Sequence, residues 1–193
     1  MIYLKSLQEN SKNGFNDMLR KHYEVILQHY GNATTKRSGV PLMNHIDEGL
    51  LILDALKANQ LAKAAYCVHP IVQGALEMNS SGKSLKEWQH KIDAEVMYIA
   101  GRYSLLANSY LCRPETDHYT ISDVQSLISL YGGMPEVLDM LRADKIQNAK
   151  DFNQYHKGTH PRSAELANYF DIWQKALGIT ESRRDELYAL ITH

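Results

Sequence analysis

Apolar residues recur every three or four positions along most of the chain, the spacing that places side chains on one face of an α-helix. One clear series lies in residues 15–31 and ends at a glycine, a common helix terminator. A second series, in residues 44–58, includes Ile46, Leu50 and Leu53. We therefore predict an amphipathic helix in each segment. The residues at three- and four-residue steps in the first are Phe15, Met18, Leu19, His22, Val25, Ile26 and Tyr30.

Proline, glycine and capping residues indicate where the other helices begin and end. Residues 60–76 predict a third helix or a helix pair divided by Pro70, since proline has no N–H for the helical hydrogen bond. Ser84 and Glu87 form a capping box, which predicts the start of a long helix through about Leu111. The remaining helices are predicted in residues 121–133, 135–152, 161–178 and 181–191.

The chain contains no strand-like run of alternating apolar and polar residues with turn signals on both sides. Its 193 residues suit one sizeable core and fall short of two typical domains. The sequence therefore predicts an all-α protein, a single helical bundle of seven to nine helices that spans residues 1–193.

Charge and composition argue against several classes of partner. With a formal net charge of −1, the chain has no bulk field to attract nucleic acid or an acidic membrane, so neither is expected. No apolar run reaches the roughly 20 residues of a membrane-spanning helix, and the first residues do not resemble a signal peptide. Cys67 and Cys112 lie in apolar stretches and are interpreted as buried thiols. These features predict a cytoplasmic protein and leave its oligomeric state open.

Two histidines and one aspartate are the best candidates for chemistry. His45, His69 and Asp144 each follow apolar residues at helix positions expected to face inward. A buried imidazole needs partners for its ring nitrogens, because an unpaired polar group costs about 1–3 kcal/mol. Two imidazoles and a carboxylate from three helices can hold a divalent ion, although spacing alone does not establish that they converge. Surface or helix-face positions are predicted for His22, His29, His90, His118, His156, His160 and His193.

Three segments carry a further pattern, namely KRSGVPLMNH, LAKAAYCVH and LRADKIQNAKD. In this order they resemble the motifs of HD-domain hydrolases of the RelA/SpoT kind. Residues 36–45, KRSGVPLMNH, are similar to the opening motif that leads to the first metal-binding histidine. Residues 61–69, LAKAAYCVH, resemble the helix that ends in the histidine–aspartate pair. Residues 141–151, LRADKIQNAKD, resemble the motif of the last metal-binding aspartate. The resemblance covers about residues 15–175 and implies an HD-type helical fold.

The resemblance also implies a site. Family members of this kind hydrolyse the 3′-pyrophosphate of guanosine tetra- and pentaphosphate with manganese. Carried over residue by residue, the metal ligands are His45, His69 and Asp144, and the expected ion is manganese or zinc. Lys36, Arg37 and Ser38 would then face the phosphates of a nucleotide, while Asn148 would orient a metal ligand or touch the substrate. The implied partner is a small phosphorylated molecule.

Three departures from the family pattern weaken the prediction of activity. Pro70 replaces the aspartate after the second histidine, and Gln73 and Gly74 replace the glutamate–aspartate pair implicated in activating water. Loss of anionic oxygen ligands weakens manganese binding most, and a neutral amide is a poor general base. Pro70 is also expected to bias His69 away from helical geometry and so to re-aim its ring.

The sequence therefore leaves two main functions open. The first is a degenerate protein of this type that binds a phosphorylated ligand with weak or no hydrolysis, with or without a retained metal ion. The second is an active metal-dependent phosphohydrolase with a rearranged site, in which Glu48 or Glu77 replaces a lost acid. The competing interpretation of Asp47, Glu48 and Glu77 is that all three are solvated surface charges. A third option is different chemistry at a three-ligand metal centre.

Overall fold

Helices form nearly all the regular structure in this computed structural model, which describes residues 17–36, 38–76, 83–111, 118–131 and 133–192. Within those ranges the β-structure is one isolated bridge between Thr34 and Pro41, so the all-α prediction is confirmed. The described residues contain nine α-helices, at the upper end of the predicted range. They are α1 Asp17–Tyr30, α2 Met43–Ala55, α3 Gln60–Leu76, α4 Lys83–Trp88, α5 Ala94–Ala107, α6 Ile121–Tyr131, α7 Pro135–Asp151, α8 Ser163–Ala176 and α9 Glu181–Ile191.

Helix α3 is the centre of the bundle and packs against α1, α2, α5 and α7. Its side chains from Ala64 to Val68 are completely buried, and the alanines among them let the surrounding helices approach closely. Cys67 is a buried free thiol, as predicted, whereas Cys112 lies outside the described residues. The helix contains Pro70 without ending there, so the alternative of a helix pair is wrong.

The predicted long helix from Ser84 to Leu111 is divided. Helix α4 begins at Lys83, continues into the short 3-10 turn Gln89–Lys91, and is separated from α5 by Ile92 and Asp93. The backbone at Asp93 is extended, and its N–H donates to the ring of His22 on α1 over 3.2 Å. Contacts with α1 therefore override a sequence pattern that is continuous through the break.

Helix α7 differs from its neighbours because its buried face is rich in polar side chains. Pro135 lies in its first turn, as expected from the fixed φ of proline. The polar residues buried along the helix are Asp144, Lys145, Gln147 and Lys150. Buried polar side chains need partners, so this face of α7 is a candidate for a functional site.

Helices α8 and α9 are the last helices of the described residues, and both pack against α7. Gly178 follows α8 with a φ of +72°, a left-handed conformation that favours glycine at helix ends. The hydroxyl of Thr180 accepts a hydrogen bond from the Arg183 N–H over 3.2 Å and so caps the start of α9. Among the described residues, no helix combines the length and the apolar character needed to cross a membrane.

Candidate metal centre

The three predicted metal ligands meet at the middle of the bundle. His45 comes from α2, His69 from α3 and Asp144 from α7. One ligand atom from each residue lies within 4.8 Å of the others, so the group could hold a metal ion. The two Nε2 atoms are 3.2 Å apart, and Asp144 Oδ1 lies 3.8 Å from His45 Nε2.

Close packing of α2 and α3 brings the two histidines together. A Cβ built at Gly49 on α2 would overlap the ring of Tyr66 on α3, so glycine is required for this approach. The Tyr66 hydroxyl lies 3.4 Å from His45 Nε2, and its ring stacks on the His45 imidazole with centroids 5.5 Å apart. Burial raises the pKa of Tyr66 well above its ordinary value, so its hydroxyl stays protonated.

Gln147 fixes the orientation of His45. The Gln147 amide nitrogen donates to Glu48 Oε2 over 2.9 Å and to Asp151 Oδ2 over 2.8 Å. Its Oε1 is therefore the atom that faces His45 Nδ1, at 2.6 Å. Since Oε1 can only accept, Nδ1 carries the proton and donates. The Nε2 lone pair of His45 then points towards the other two ligands.

His69 is held in the same protonation pattern by the backbone. Its Nδ1 donates to the carbonyl oxygen of Tyr66 over 2.6 Å, and its ring is buried between those of Tyr66 and Tyr103. Burial, reinforced by the nearby His45, lowers the pKa of His69 to about 3, so the ring is neutral at ordinary pH. The expectation that Pro70 re-aims this ring away from helical geometry is wrong, because His69 lies within α3 beside His45.

The two Nε2 atoms of His45 and His69 face each other in a way that favours a cation between them. With both Nδ1 atoms donating, two nitrogen lone pairs face each other across 3.2 Å, an arrangement that a proton or a metal ion between them would stabilise. A tetrahedral zinc ion with Zn–N bonds of about 2.0–2.1 Å separates two nitrogen ligands by about 3.3 Å. The observed separation of 3.2 Å therefore fits two neighbouring ligands of one metal ion.

Asp144 supplies the negative charge, and both of its oxygens are engaged. Oδ2 accepts from Lys145 Nζ over 2.9 Å, and Oδ1 accepts from Asn148 Nδ2 over 2.7 Å. Burial raises the pKa of Asp144, but Lys145, through its charge and its hydrogen bond, and the two neighbouring histidines together hold that pKa below its ordinary value. The carboxylate is therefore ionised, with Oδ1 on the side of His45.

Lys145 is a buried cation that compensates Asp144. It also donates to the Ala107 carbonyl over 2.6 Å and lies over the rings of Tyr169 and Trp173, at 5.3 and 5.1 Å from their centroids. Burial lowers its pKa, but the neighbouring Asp144 raises it above the ordinary lysine value. The ion pair is thus neutral as a unit, which leaves the charge of any bound metal ion uncompensated.

A cavity of about 510 Å³ opens from this group, within the usual range for small-molecule sites. The three candidate ligands line it, and Asn108, Asn148 and Asp151 add polar atoms to its walls. Aromatic rings form much of the remaining surface. They belong to Tyr30, Tyr103, Phe152, Tyr169 and Phe170.

The predicted ligand-binding residues are only partly brought to this cavity. Ser38 lines it, with its hydroxyl 2.5 Å from that of Thr35, and Asn148 lines it while binding Asp144. Lys36 is exposed and is not among the lining residues, and Arg37 lies outside the described residues. The role of Asn148 in orienting a candidate metal ligand is therefore supported by its hydrogen bond.

Asp47 and Glu48 are buried rather than solvated, contrary to the surface interpretation. Asp47 accepts a hydrogen bond from the Tyr23 hydroxyl over 2.5 Å. Glu48 pairs with Lys150 at 2.7 Å and also accepts from the Gln147 amide. Neither belongs to the group of three ligands. Glu77 lies outside the described residues.

Sequence reasoning missed several residues of the site. Lys145 and Gln147 lie within the predicted motif on α7, and their signal is the polar character of a helix face that should be apolar. His156 and His160, predicted as surface or helix-face residues, line the cavity because a short π-helical segment, Phe152–His156, follows α7. Nothing in the local sequence marks that segment.

Comparisons with known proteins do not assign the chain to a family. No family model matches it, and neither a curated protein nor a solved structure is found to be similar. The resemblance of the three motifs to HD-domain hydrolases therefore stays a prediction.

Proposed function

We propose that the chain binds a divalent metal ion through His45, His69 and Asp144, and that the metal and the adjoining cavity together bind a small phosphorylated ligand, such as a nucleotide. We further propose that hydrolysis of guanosine tetraphosphate is weak or absent. The observation that carries the proposal is the pair of Nε2 atoms, 3.2 Å apart, with both Nδ1 atoms engaged as donors.

The charge of the site favours an anionic ligand. Asp144 and Lys145 compensate each other across 2.9 Å, and the two imidazoles are neutral ligands. A bound divalent ion would therefore keep most of its charge, which a phosphate group could balance by direct contact. When bound, the ion would also polarise a phosphoryl oxygen as a Lewis acid. Ser38 and Asn108 lie in the walls of the same cavity and offer hydrogen bonds.

The aromatic part of the cavity suits the rest of a nucleotide. Rings of Tyr30, Phe152 and Phe170 line the wall, and a flat base can stack on such rings. In the described residues, Lys145 is the one lysine or arginine of the lining, and it is already bound to Asp144 and to the Ala107 carbonyl. The wall is thus better suited to a base and sugar than to several phosphates.

Weak hydrolysis follows from the missing carboxylates. Pro70 and Gln73 line the cavity where the resemblance would place an aspartate and a glutamate. A glutamine amide cannot take a proton from water, so water activation would depend on the metal ion alone. The chain's own groups bind and orient a ligand but do not provide a base at those positions.

The alternative is an active phosphohydrolase with a rearranged site, and Asp151 favours it. This carboxylate lines the same cavity, one helical turn after Gln147, from which it accepts a hydrogen bond over 2.8 Å. His156 lies in the same wall. Either residue could take the role of the missing base if a substrate placed its attacking water nearby.

Calorimetric titration of untagged, metal-free protein with zinc chloride tests the proposal. One zinc ion per chain is expected, and His45→Ala should weaken binding by more than about 100-fold, since even outer-shell partners of metal ligands are worth 10–100-fold. His90→Ala, at an exposed histidine, is the matched control and should bind zinc as the wild type does. Equal zinc affinity in both variants would refute the site.

The zinc-loaded protein is then titrated with inorganic phosphate, guanosine monophosphate and guanosine tetraphosphate. Binding of a nucleotide more tightly than phosphate supports the cavity as a nucleotide site, whereas no binding of any of the three would contradict it. Release of pyrophosphate from guanosine tetraphosphate at a useful rate would favour the alternative. In that case Asp151→Asn should abolish the release if Asp151 is the base.

The triple variant Pro70→Asp, Gln73→Glu and Gly74→Asp tests the reason given for weak hydrolysis. Some manganese-dependent pyrophosphate release is expected, because the variant restores the acids of the resembling motif. Single substitutions should have little effect, since such groups act as a unit. A folded triple variant without any release would show that other features of the cavity exclude this reaction.

A further inference from the structure

Pro70 leaves one carbonyl group of α3 without its usual donor. In an α-helix the N–H of residue 70 donates to the carbonyl oxygen of Tyr66, four residues earlier, but proline lacks that N–H and its ring pushes the carbonyl outward. The helix nevertheless continues through Pro70 to Leu76. The carbonyl oxygen of Tyr66 instead accepts a hydrogen bond of 2.6 Å from Nδ1 of His69.

We propose that Pro70 is a positioning residue of the metal centre: it reserves the Tyr66 carbonyl for His69 and thereby presents the His69 Nε2 lone pair to the metal ion. The inference rests on the proposed metal site. It gives a constructive role to a residue that, judged from the sequence, only removes a carboxylate and disturbs a helix.

The surroundings of His69 make this hydrogen bond important. The imidazole is buried and packed between the rings of Tyr66 and Tyr103, with centroid distances of 4.8 and 5.0 Å. A neutral imidazole carries one proton, on either ring nitrogen. The tautomer with the proton on Nε2 would direct an N–H at His45 and could not bind a metal. An acceptor facing Nδ1 selects the tautomer that can.

The two histidines obtain this acceptor by different routes. His45 uses the side-chain oxygen of Gln147, which is itself fixed by Glu48 and Asp151. His69 uses a main-chain oxygen that has no competing helical N–H donor, because residue 70 is a proline. Hydrogen bonds of this kind to the second ring nitrogen orient metal-binding histidines in general, but here the acceptor depends on a proline next in sequence to the ligand.

The variant Pro70→Ala separates positioning from stability. Alanine restores the N–H to Tyr66 and removes the ring, so the carbonyl returns to the helical hydrogen bond and competes with Nδ1 of His69. We expect a higher melting temperature, because an interior proline is removed. Zinc affinity measured by calorimetry should nevertheless fall about tenfold or more, in line with other losses of outer-shell support.

Gly74→Ala is the matched control on the same helix. A Cβ at Gly74 meets no atom within 4 Å, and Gly74 is not among the residues that line the cavity. The control should also raise the melting temperature while leaving the zinc affinity unchanged. Unchanged zinc affinity in Pro70→Ala would overturn the proposal, and so would a joint loss of zinc affinity and melting temperature, which indicates a merely structural role.

The nitrogen chemical shifts of the His69 ring in the metal-free protein provide a second test that does not depend on zinc. The wild type should show the proton on Nδ1, and Pro70→Ala should shift the ring towards the other tautomer. A wild type with the proton on Nε2 overturns the proposal even if the variant does not fold. If the wild type binds no zinc but shows the expected tautomers, the proposed function fails and the role of Pro70 in orienting the ring stands.

Discussion

His22 and His69 are both buried on helices, and their Nδ1 atoms are used in nearly the same way. His22 donates from Nδ1 to the carbonyl of Met18 over 2.7 Å, and His69 donates from Nδ1 to the carbonyl of Tyr66 over 2.6 Å. Burial lowers the pKa of both rings. In each imidazole, the hydrogen bond of Nδ1 is thus made within the residue's own helix.

The other nitrogen distinguishes the two residues. Nε2 of His22 accepts the backbone N–H of Asp93 over 3.2 Å, so the ring joins α1 to the start of α5. Nε2 of His69 faces another nitrogen, Nε2 of His45, at 3.2 Å. His22 is therefore a structural histidine, whereas His69 has an electron pair that a metal ion can use. Burial alone does not separate these roles; the direction of the second nitrogen does.

Substitution of Asp144 should have the largest effect, because this residue both pairs with a buried lysine and is a candidate metal ligand. Asp144→Asn leaves Lys145 buried without its anion, and we expect a loss of about 3–5 kcal/mol in the free energy of unfolding. Urea denaturation measures this loss, and zinc titration should show a parallel loss of affinity. Asp171→Asn breaks the exposed pair with Lys175 and should cost less than about 1 kcal/mol. Equal effects of the two changes would contradict the buried pairing.

His22→Ala should reverse the pattern seen at the metal centre. It leaves the Asp93 N–H unpaired and opens a small void, so a loss of about 1–3 kcal/mol in stability is expected. Zinc affinity should not change, because His22 does not belong to the candidate ligand group. A variant that keeps full stability but loses zinc would show that the two histidines have been assigned the wrong way round.

The stability of the metal-free protein should fall as pH decreases below about 6.5. In the folded state burial lowers the pKa of both His22 and His69, that of His69 to about 3, so both rings stay neutral. In the unfolded chain both rings take up protons near the ordinary histidine pKa of 6.5. The unfolded state thus binds more protons in this range, and each ring contributes at most about 1.4 kcal/mol per pH unit. Urea denaturation at several pH values measures the slope. His22→Gln should reduce it, and an unchanged slope would argue against the buried state of His22.

The features that could be predicted from the sequence are those marked by a pattern in a short segment. The helices follow from apolar spacing, and His45, His69 and Asp144 follow from polar residues at inward positions combined with three ordered motifs. Other features depend on contacts between distant segments. Gln147 is 102 residues from the histidine it orients, and the break before α5 depends on the ring of His22. No local pattern encodes such partners.

Pro70 illustrates a different limit of sequence reasoning. Helix propensity correctly identifies it as a residue that cannot donate a hydrogen bond, and it left open one helix or a helix pair divided there. One helix is found, and the carbonyl oxygen that the proline leaves without an N–H donor accepts from the neighbouring side chain, His69. A rule about the backbone alone does not include a side chain that replaces the missing donor.

X-ray absorption at the zinc edge tests the central claim most directly, on untagged wild-type protein loaded with one equivalent of zinc. We predict two imidazole nitrogens at about 2.0–2.1 Å and oxygen ligands completing the shell, with one imidazole lost in His69→Ala and both retained in His22→Ala. A zinc shell without imidazole, or a shell that changes with His22 but not with His69, would contradict the account.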